Sequence, residues 1–404
     1  MRRAVWLLAA AAGALCAQDY YPAPDSAGGW RTLPDAAQVQ KRAGIDTRKL
    51  DMAFEYAKRT SPHGGLLVAR HGYLVYERYF GRGNREANPA MASVGKAYTS
   101  IACGIMLKEK CEQIPQGLEQ NVFTEKYLPE AFPLSDPRKA EIKLGHLLTM
   151  TSGMLDGNSG FVNHELRTIP AMPRDTTLDQ DQAALRAPMW TAPGGGYSYS
   201  SQSTHVASIV LRHLVGMELQ EYVNQRLAIP MQWGRWSWAR TRDGKTVPHT
   251  PGGADIAVRA TDALRFAYLL LHQGRWGRQQ LVPAEYIALC SRPSPYDPHA
   301  PFSLQFEVNE DGHVAGAPRD AFFKSGAGGY GIYVVPSLDL VIYKMAGTTS
   351  QYDAANTGLP LLYTPDTSRD GWKPEPHSQF YDAPPGVDDG VRRVLEMVVA
   401  AVAD

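Results

Sequence analysis

The sequence has no charge excess of either sign: its 404 residues carry 41 Lys and Arg against 41 Asp and Glu. Nucleic acid and anionic membrane surfaces are bound through a surplus of basic groups, so neither is expected as the main partner. Cysteine is scarce, with four in the chain, and no two have the C-x-x-C spacing of a zinc or redox site. Cys103 and Cys111 stand eight residues apart. On a single helix that is about 12 Å, too far to bridge. With Cys290 they read as partly buried thiols. The eleven histidines include no H-E-x-x-H. His205 and His213 lie near one helical face and read as packed or solvated side chains, so no metal and no cofactor is expected. Beyond residue 17, no run approaches the roughly 18 uninterrupted apolar residues of a membrane span.

What is there is an ordinary globular composition, 44% hydrophobic and 20% charged, which excludes disordered, collagen-like and coiled-coil chains. Arg2 and Arg3 precede an apolar run over residues 4–15, and Leu15-Cys16-Ala17 offers a small residue before a cut at Gln18. This is the pattern of an export signal over residues 1–17. Its removal leaves 39 basic residues against 41 acidic, and the mature protein is expected to be periplasmic or secreted. Bulky Leu15 directly before Cys16 fits a lipobox poorly, so ordinary cleavage is expected instead of a lipid anchor. Residues 18–45, rich in Pro, Gly, Ala and Asp, read as an extended lead-in to a domain over 46–404.

Within that domain, Leu50, Phe54 and Ala57 mark one helix face. Residues 65–70 and 73–79 read as a hairpin closed by His71-Gly72. Between about 92 and 250 the pattern is mostly helical, clearest over 93–108, 144–150 and 204–215. Another helix is expected over 261–272. Strands are expected over 303–308, 331–335 and 340–345, then a loop over 356–388 and a final helix over 391–402. Strands at both ends around a helical middle predict an α+β fold, with one sheet layer completed by both termini and a mostly helical region inserted.

Three segments carry chemistry. Ser93-Val94-Gly95-Lys96 opens a helix, and residues three apart share a face, which sets the Lys96 amine beside the Ser93 hydroxyl. A serine is a weak nucleophile without a neighbouring base. A lysine serves as one when burial or a nearby cation disfavours its charge. Gly194-Gly195-Gly196-Tyr197-Ser198-Tyr199-Ser200-Ser201 offers two tyrosines able to relay a proton. Phe323 to Tyr333 reads as a strand begun by Lys324 whose small residues admit a substrate against its backbone. Each alone has a bland alternative: a capped helix with a solvated lysine, a packing tyrosine, a bulged edge strand.

Taken in order, S-x-x-K, Y-x-S and K-S-G resemble the serine β-lactamase and penicillin-binding-protein superfamily, particularly the branch of class C β-lactamases, D-aminopeptidases and esterases. Leu147-Leu148-Thr149-Met150-Thr151-Ser152-Gly153 and Trp190-Thr191-Ala192-Pro193-Gly194 are similar to two further family segments. The resemblance spans about residues 46–350 and implies a β-lactamase/transpeptidase-like fold. It implies that Ser93 is the acylated nucleophile and Lys96 its proton acceptor. Tyr199, favoured over Tyr197 by the family pattern, would pass a proton to the leaving group. Lys324, Ser325 and Gly326 would line the substrate, and the N–H groups of Ser93 and Ala327 would form the oxyanion hole. One departure stands out: Ser201 replaces the family's asparagine, giving one short hydroxyl where an amide both donates and accepts. This tilts the expectation to a serine hydrolase acting on a small or peptide-like ester or amide. The alternatives are a β-lactamase or a penicillin- or peptidoglycan-binding sensor without turnover. A G-x-S-x-G elbow is absent, which disfavours an α/β-hydrolase.

Overall fold

The computed structural model describes residues 20–155, 179–238, 241–242, 245–373 and 390–403. The export signal expected over residues 1–17, Cys16 included, and the end of the loop expected over 356–388 lie outside the described residues.

The hairpin of β1 (Gly64–Arg70) and β2 (Tyr73–Phe80) turns at His71-Gly72. Both turn residues have positive φ, 52° and 73°, the backbone that matches strand twist in a two-residue reversal. Five more strands follow much later: β3 (Phe302–Ser303), β4 (Phe306–Val308), β5 (Phe322–Gly326), β6 (Tyr330–Val335) and β7 (Leu340–Met345). They form one sheet in the order β2-β1-β7-β6-β5-β4-β3 with antiparallel pairing throughout. The N-terminal hairpin therefore joins the C-terminal strands through the β1–β7 pair.

Side chains alternate across the sheet, as the strand period requires. Leu66, Val68, Ile342 and Tyr333 enter one core with Leu50 and Phe54 of α2 (Thr47–Thr60) and Val394 and Leu395 of the last helix. Leu67, Ala69, Tyr343 and Ile332 enter the other, which holds the helical region. That region contains α3 (Gly95–Glu109), α4 (Leu144–Leu148), α5 (Gln180–Leu185) and α6 (Ser201–Val215), followed by α7 (Ala260–Leu271) across the sheet. The last helix, α8 (Arg392–Val399), packs beside α2. From Gly95 to Met106, every residue of α3 is buried, the condition of a helix at the centre of a domain. Among the described residues, no helix is long and apolar enough to cross a membrane.

The structure differs from the sequence reading in three places. The lead-in is not wholly extended: α1 (Ala36–Ala43) forms within it, started by Asp35, whose side chain accepts from Gln38 N–H, and ended at Gly44 with φ 58°. The strand expected over 303–308 is broken into β3 and β4, because Leu304 and Gln305 take φ of 42° and 75° and reverse the chain. The Gln305 amide donates to Leu148 O at 2.8 Å, a tertiary bond that goes with this uncommon backbone. Lastly, Lys324 lies in the middle of β5, not at its start, and β5 is an interior strand between β4 and β6, not a bulged edge. Gly328 and Gly329, with φ of 99° and 92°, belong to the β5–β6 turn.

Candidate active site

The first component is a strained turn. Ser93 sits in a single 3-10 turn, Ala92–Val94, that feeds α3. Ala92 has φ 45°, a left-handed conformation that costs a non-glycine residue about 1–2 kcal/mol. Backbone bonds on both sides hold it: Met91 N–H donates to Ile256 O and Asp255 N–H to Ala92 O, each at 2.9 Å. Strain retained by surrounding structure in this way is typical of functional sites. One helical turn on, Lys96 is fully buried, and its Nζ lies 2.9 Å from Ser93 Oγ. The same amine donates to the carbonyl of Gly253. Burial removes the water that would otherwise stabilise an ammonium group.

The second component is the tyrosine loop. The Leu147–Gly153 segment supports it through Ser198 N–H to Met150 O at 2.9 Å and Gly194 N–H to Thr151 O at 2.8 Å. The centroid of the Tyr199 ring lies 5.0 Å from Lys96 Nζ and 5.3 Å from Lys324 Nζ. Tyr197 packs on Phe302, with ring centroids 5.2 Å apart. Ser200 caps α6 by accepting from Ser203 N–H at 3.1 Å, which makes Ser201 the first helical residue. Ser201 meets the loop that holds Lys96: a Cβ built on Gly253 would stand 2.8 Å from Ser201 O.

The third component is β5. Lys324 is almost wholly buried and reaches both Tyr199 and Phe302. Ser325 Oγ–H donates to Glu307 Oε1 at 3.1 Å, and Arg392 Nη2 of α8 donates to Glu307 Oε2 at 2.9 Å. Burial alone would raise the Glu307 pKa, but the charges of Arg392 and Lys324 outweigh it and hold the carboxyl below its ordinary value. Glu307 is therefore a carboxylate beneath the K-S-G strand. A Cβ at Gly326 would stand 2.4 Å from Met91 O and 3.1 Å from Val94 N. Only glycine lets the end of β5 lie against the Ser93 turn, so the segments bearing the Ser93 and Ala327 N–H groups run side by side. Gln351 ties them further, its amide donating to Ala90 O at 3.0 Å and Ala327 O at 3.1 Å.

The structure thus brings Ser93, Lys96, Tyr199, Ser201, Lys324, Gly326 and Ala327 to one place, where the end of β5, the start of α3 and the start of α6 meet, whereas the Ser325 side chain, expected to line the substrate, turns to Glu307 on the opposite face of β5 from Lys324. Sequence reasoning missed Glu307, Arg392, Gln351 and Gly253. Glu307 and Arg392 lie 85 positions apart, and no local motif marks any of the four. His205 and His213 bond to carboxylates, Asp181 and Glu130. Among the described residues, no group of three His, Cys, Asp or Glu side chains could hold a metal ion.

Residues 51–361 match the family model described as Beta-lactamase. Over 247 residues the chain is 31% identical to Esterase EstB of Burkholderia gladioli, a match covering 52% of this chain and 61% of the esterase. The match therefore spans about three fifths of that relative's length. EstCE1, a hydrolase with promiscuous acyltransferase activity, superposes with a TM-score of 0.58 at 19% identity, covering 78% of this chain and 96% of its own. A penicillin-binding protein homologue from Caulobacter crescentus gives a TM-score of 0.56 at 15% identity, covering 74% and 91%. At these identities the two structures speak to the fold alone, and it is the β-lactamase/transpeptidase-like fold that the motifs implied.

Proposed function

The chain belongs to the beta-lactamase family, and on that premise we propose that it is a serine hydrolase cleaving small esters or amides through an acyl-enzyme on Ser93. The observation that carries the proposal is the 2.9 Å approach of a fully buried Lys96 amine to the Ser93 hydroxyl, beside a tyrosine that also faces Lys324. In acylation, Lys96 takes the hydroxyl proton as Ser93 Oγ bonds to the substrate carbonyl carbon. The carbonyl π electrons move to its oxygen, which accepts from the N–H groups of Ser93 and Ala327. Tyr199 delivers a proton to the departing alkoxide or amine as its bond to carbon breaks, and the proton held on Lys96 passes to the phenolate, restoring both groups. Water then repeats the attack on the acyl-enzyme, giving up its proton to the same groups and releasing Ser93 and a carboxylic acid. Lys324 keeps positive charge beside the tyrosine throughout.

The name of the Burkholderia gladioli relative and the short Ser201 hydroxyl both favour an ester over a β-lactam. Export to the periplasm or medium is part of the proposal, supported by the Arg2-Arg3 start and the apolar run over residues 4–15.

Mixing the protein with a p-nitrophenyl ester is the test. Expected are a burst of nitrophenol equal to the enzyme, continued release after it, and a trapped acyl mass on the peptide containing Ser93. A stable label without continued release would instead indicate a sensor, and a chromogenic cephalosporin run in parallel reads β-lactamase activity. A label on any other residue would overturn the assignment. The proton relay makes a separate prediction: Tyr199→Phe should lower kcat by about 10^2-fold or more, while Tyr197→Phe, in a ring that packs on Phe302, should have little effect. The opposite ranking would transfer the role to Tyr197.

A further inference from the structure

The carbonyl that accepts from Lys96 belongs to the loop Pro251-Gly252-Gly253, and that loop is fixed by a buried pair outside the motifs. Gly252 N–H donates to His205 Nδ1 at 3.1 Å. Gly252 O accepts from Thr99 Oγ1 at 2.6 Å, one helical turn along α3 from Lys96. On the far side, His205 Nε2 lies 2.8 Å from Asp181 Oδ1, and Arg212 Nη2 donates to Asp181 Oδ2 at 2.6 Å. Burial alone would raise the Asp181 pKa, but the hydrogen bond from His205 and the bond and charge of Arg212 hold the carboxyl far below its ordinary value. Asp181 is thus an anion and an acceptor. His205 is only 2% exposed, and an imidazole accepting at Nδ1 must carry its proton on Nε2, where it donates to Asp181. One tautomer satisfies every bond. Gly252 itself has no space for a side chain, since a Cβ there would stand 2.3 Å from Ser208 Oγ.

We propose that Asp181 and His205 are positioning residues for Lys96. Asp181 fixes the imidazole, the imidazole fixes the Gly252 peptide, and the next carbonyl, of Gly253, takes one N–H of the amine. That contact turns the amine's lone pair toward Ser93 Oγ. The inference rests on the reading of Lys96 as proton acceptor, and it adds the element that orients it.

Two substitutions separate orientation from mere support. In His205→Asn, the side-chain oxygen falls where Nδ1 was and accepts from Gly252, but the reach to Asp181 is lost. In His205→Gln, the amide reaches Asp181 but leaves Gly252 N–H without its acceptor. Positioning predicts that H205Q lowers the acylation rate of p-nitrophenyl acetate by about 10- to 100-fold with KM nearly unchanged, as an ångström-scale displacement of a catalytic group does. H205N should lose less than about fivefold by the same argument. Melting temperatures of both variants are measured beside the rates. Equal rates for the two, or losses that follow melting temperature instead of the Gly252 bond, would overturn the inference. If H205Q does not fold, Thr99→Val, which releases the same peptide from its other side, makes the comparison: a fall in kcat at unchanged KM supports the proposal and a wild-type kcat refutes it. Ser93→Ala runs alongside. Wild-type turnover there overturns the reading of the site itself, whereas an inactive S93A with a normal H205Q overturns the positioning role alone.

Discussion

Ser93→Ala is expected to lower kcat on p-nitrophenyl acetate by at least about 10^4-fold, since removing the nucleophile of such a unit removes nearly all its chemistry. The structure makes this a clean substitution. One oxygen is lost from a turn held by backbone bonds at Met91 and Ala92, so the path of the chain does not depend on it. Lys96 keeps its second acceptor, the Gly253 carbonyl, and is not left as an unpaired buried amine. The melting temperature should therefore stay close to that of the parent, and the burst and the acyl mass should vanish together. A purified S93A with parental kcat would mean that the hydroxyl is not the nucleophile, whatever its geometry.

Lys96→Met is expected to be nearly as severe, with kcat reduced by about 10^2- to 10^4-fold, the range that a positioned general base supplies. Methionine keeps the length and volume of the side chain while deleting the amine. Because the amine is buried, its loss should leave stability unchanged or raise it, the trade-off expected where a site holds a polar group in a core. Lys96→Arg should not rescue activity, since guanidinium remains protonated and cannot accept the serine proton. The S93A/K96M double variant should be no worse than S93A alone, because the two groups act as one unit. Independent losses that multiply would show that Lys96 works elsewhere than on Ser93. The measurements are kcat, KM and melting temperature for the four proteins.

Much of the fold was legible because local pattern and tertiary outcome agree. The His71-Gly72 reversal has the turn chemistry it needs, and the S-x-x-K pair is a property of helix spacing that survives any packing. The features that were not legible depend on partners distant in sequence. Nothing near Leu304 and Gln305 announces a reversal, since neither is Gly, Asn or Asp, and the Gln305 bond to Leu148 O accompanies the positive φ there. The helix over residues 36–43 was hidden by a Pro- and Gly-rich neighbourhood, although Asp35 is an ordinary cap. Glu307 acquires its role only through Ser325 and Arg392, which close on its two oxygens from distant parts of the chain. His205, expected to be packed or solvated, is buried, and its acceptor role depends on the Gly252 loop, 47 residues away in sequence.

The ion pair between Glu307 and Arg392 also has a temporal consequence. Arg392 comes from the final helix, so the carboxylate beneath Ser325 gains this cation only once the tail of the polypeptide has docked. Until then Glu307 has the charge of Lys324 near it but no guanidinium, although β5 is already held to the Ser93 turn by the close approach of Gly326 and by Gln351. The partner of Glu307 is therefore made about 300 residues after Ser93 and Lys96, so this ion pair is among the later contacts to form as the chain is synthesised.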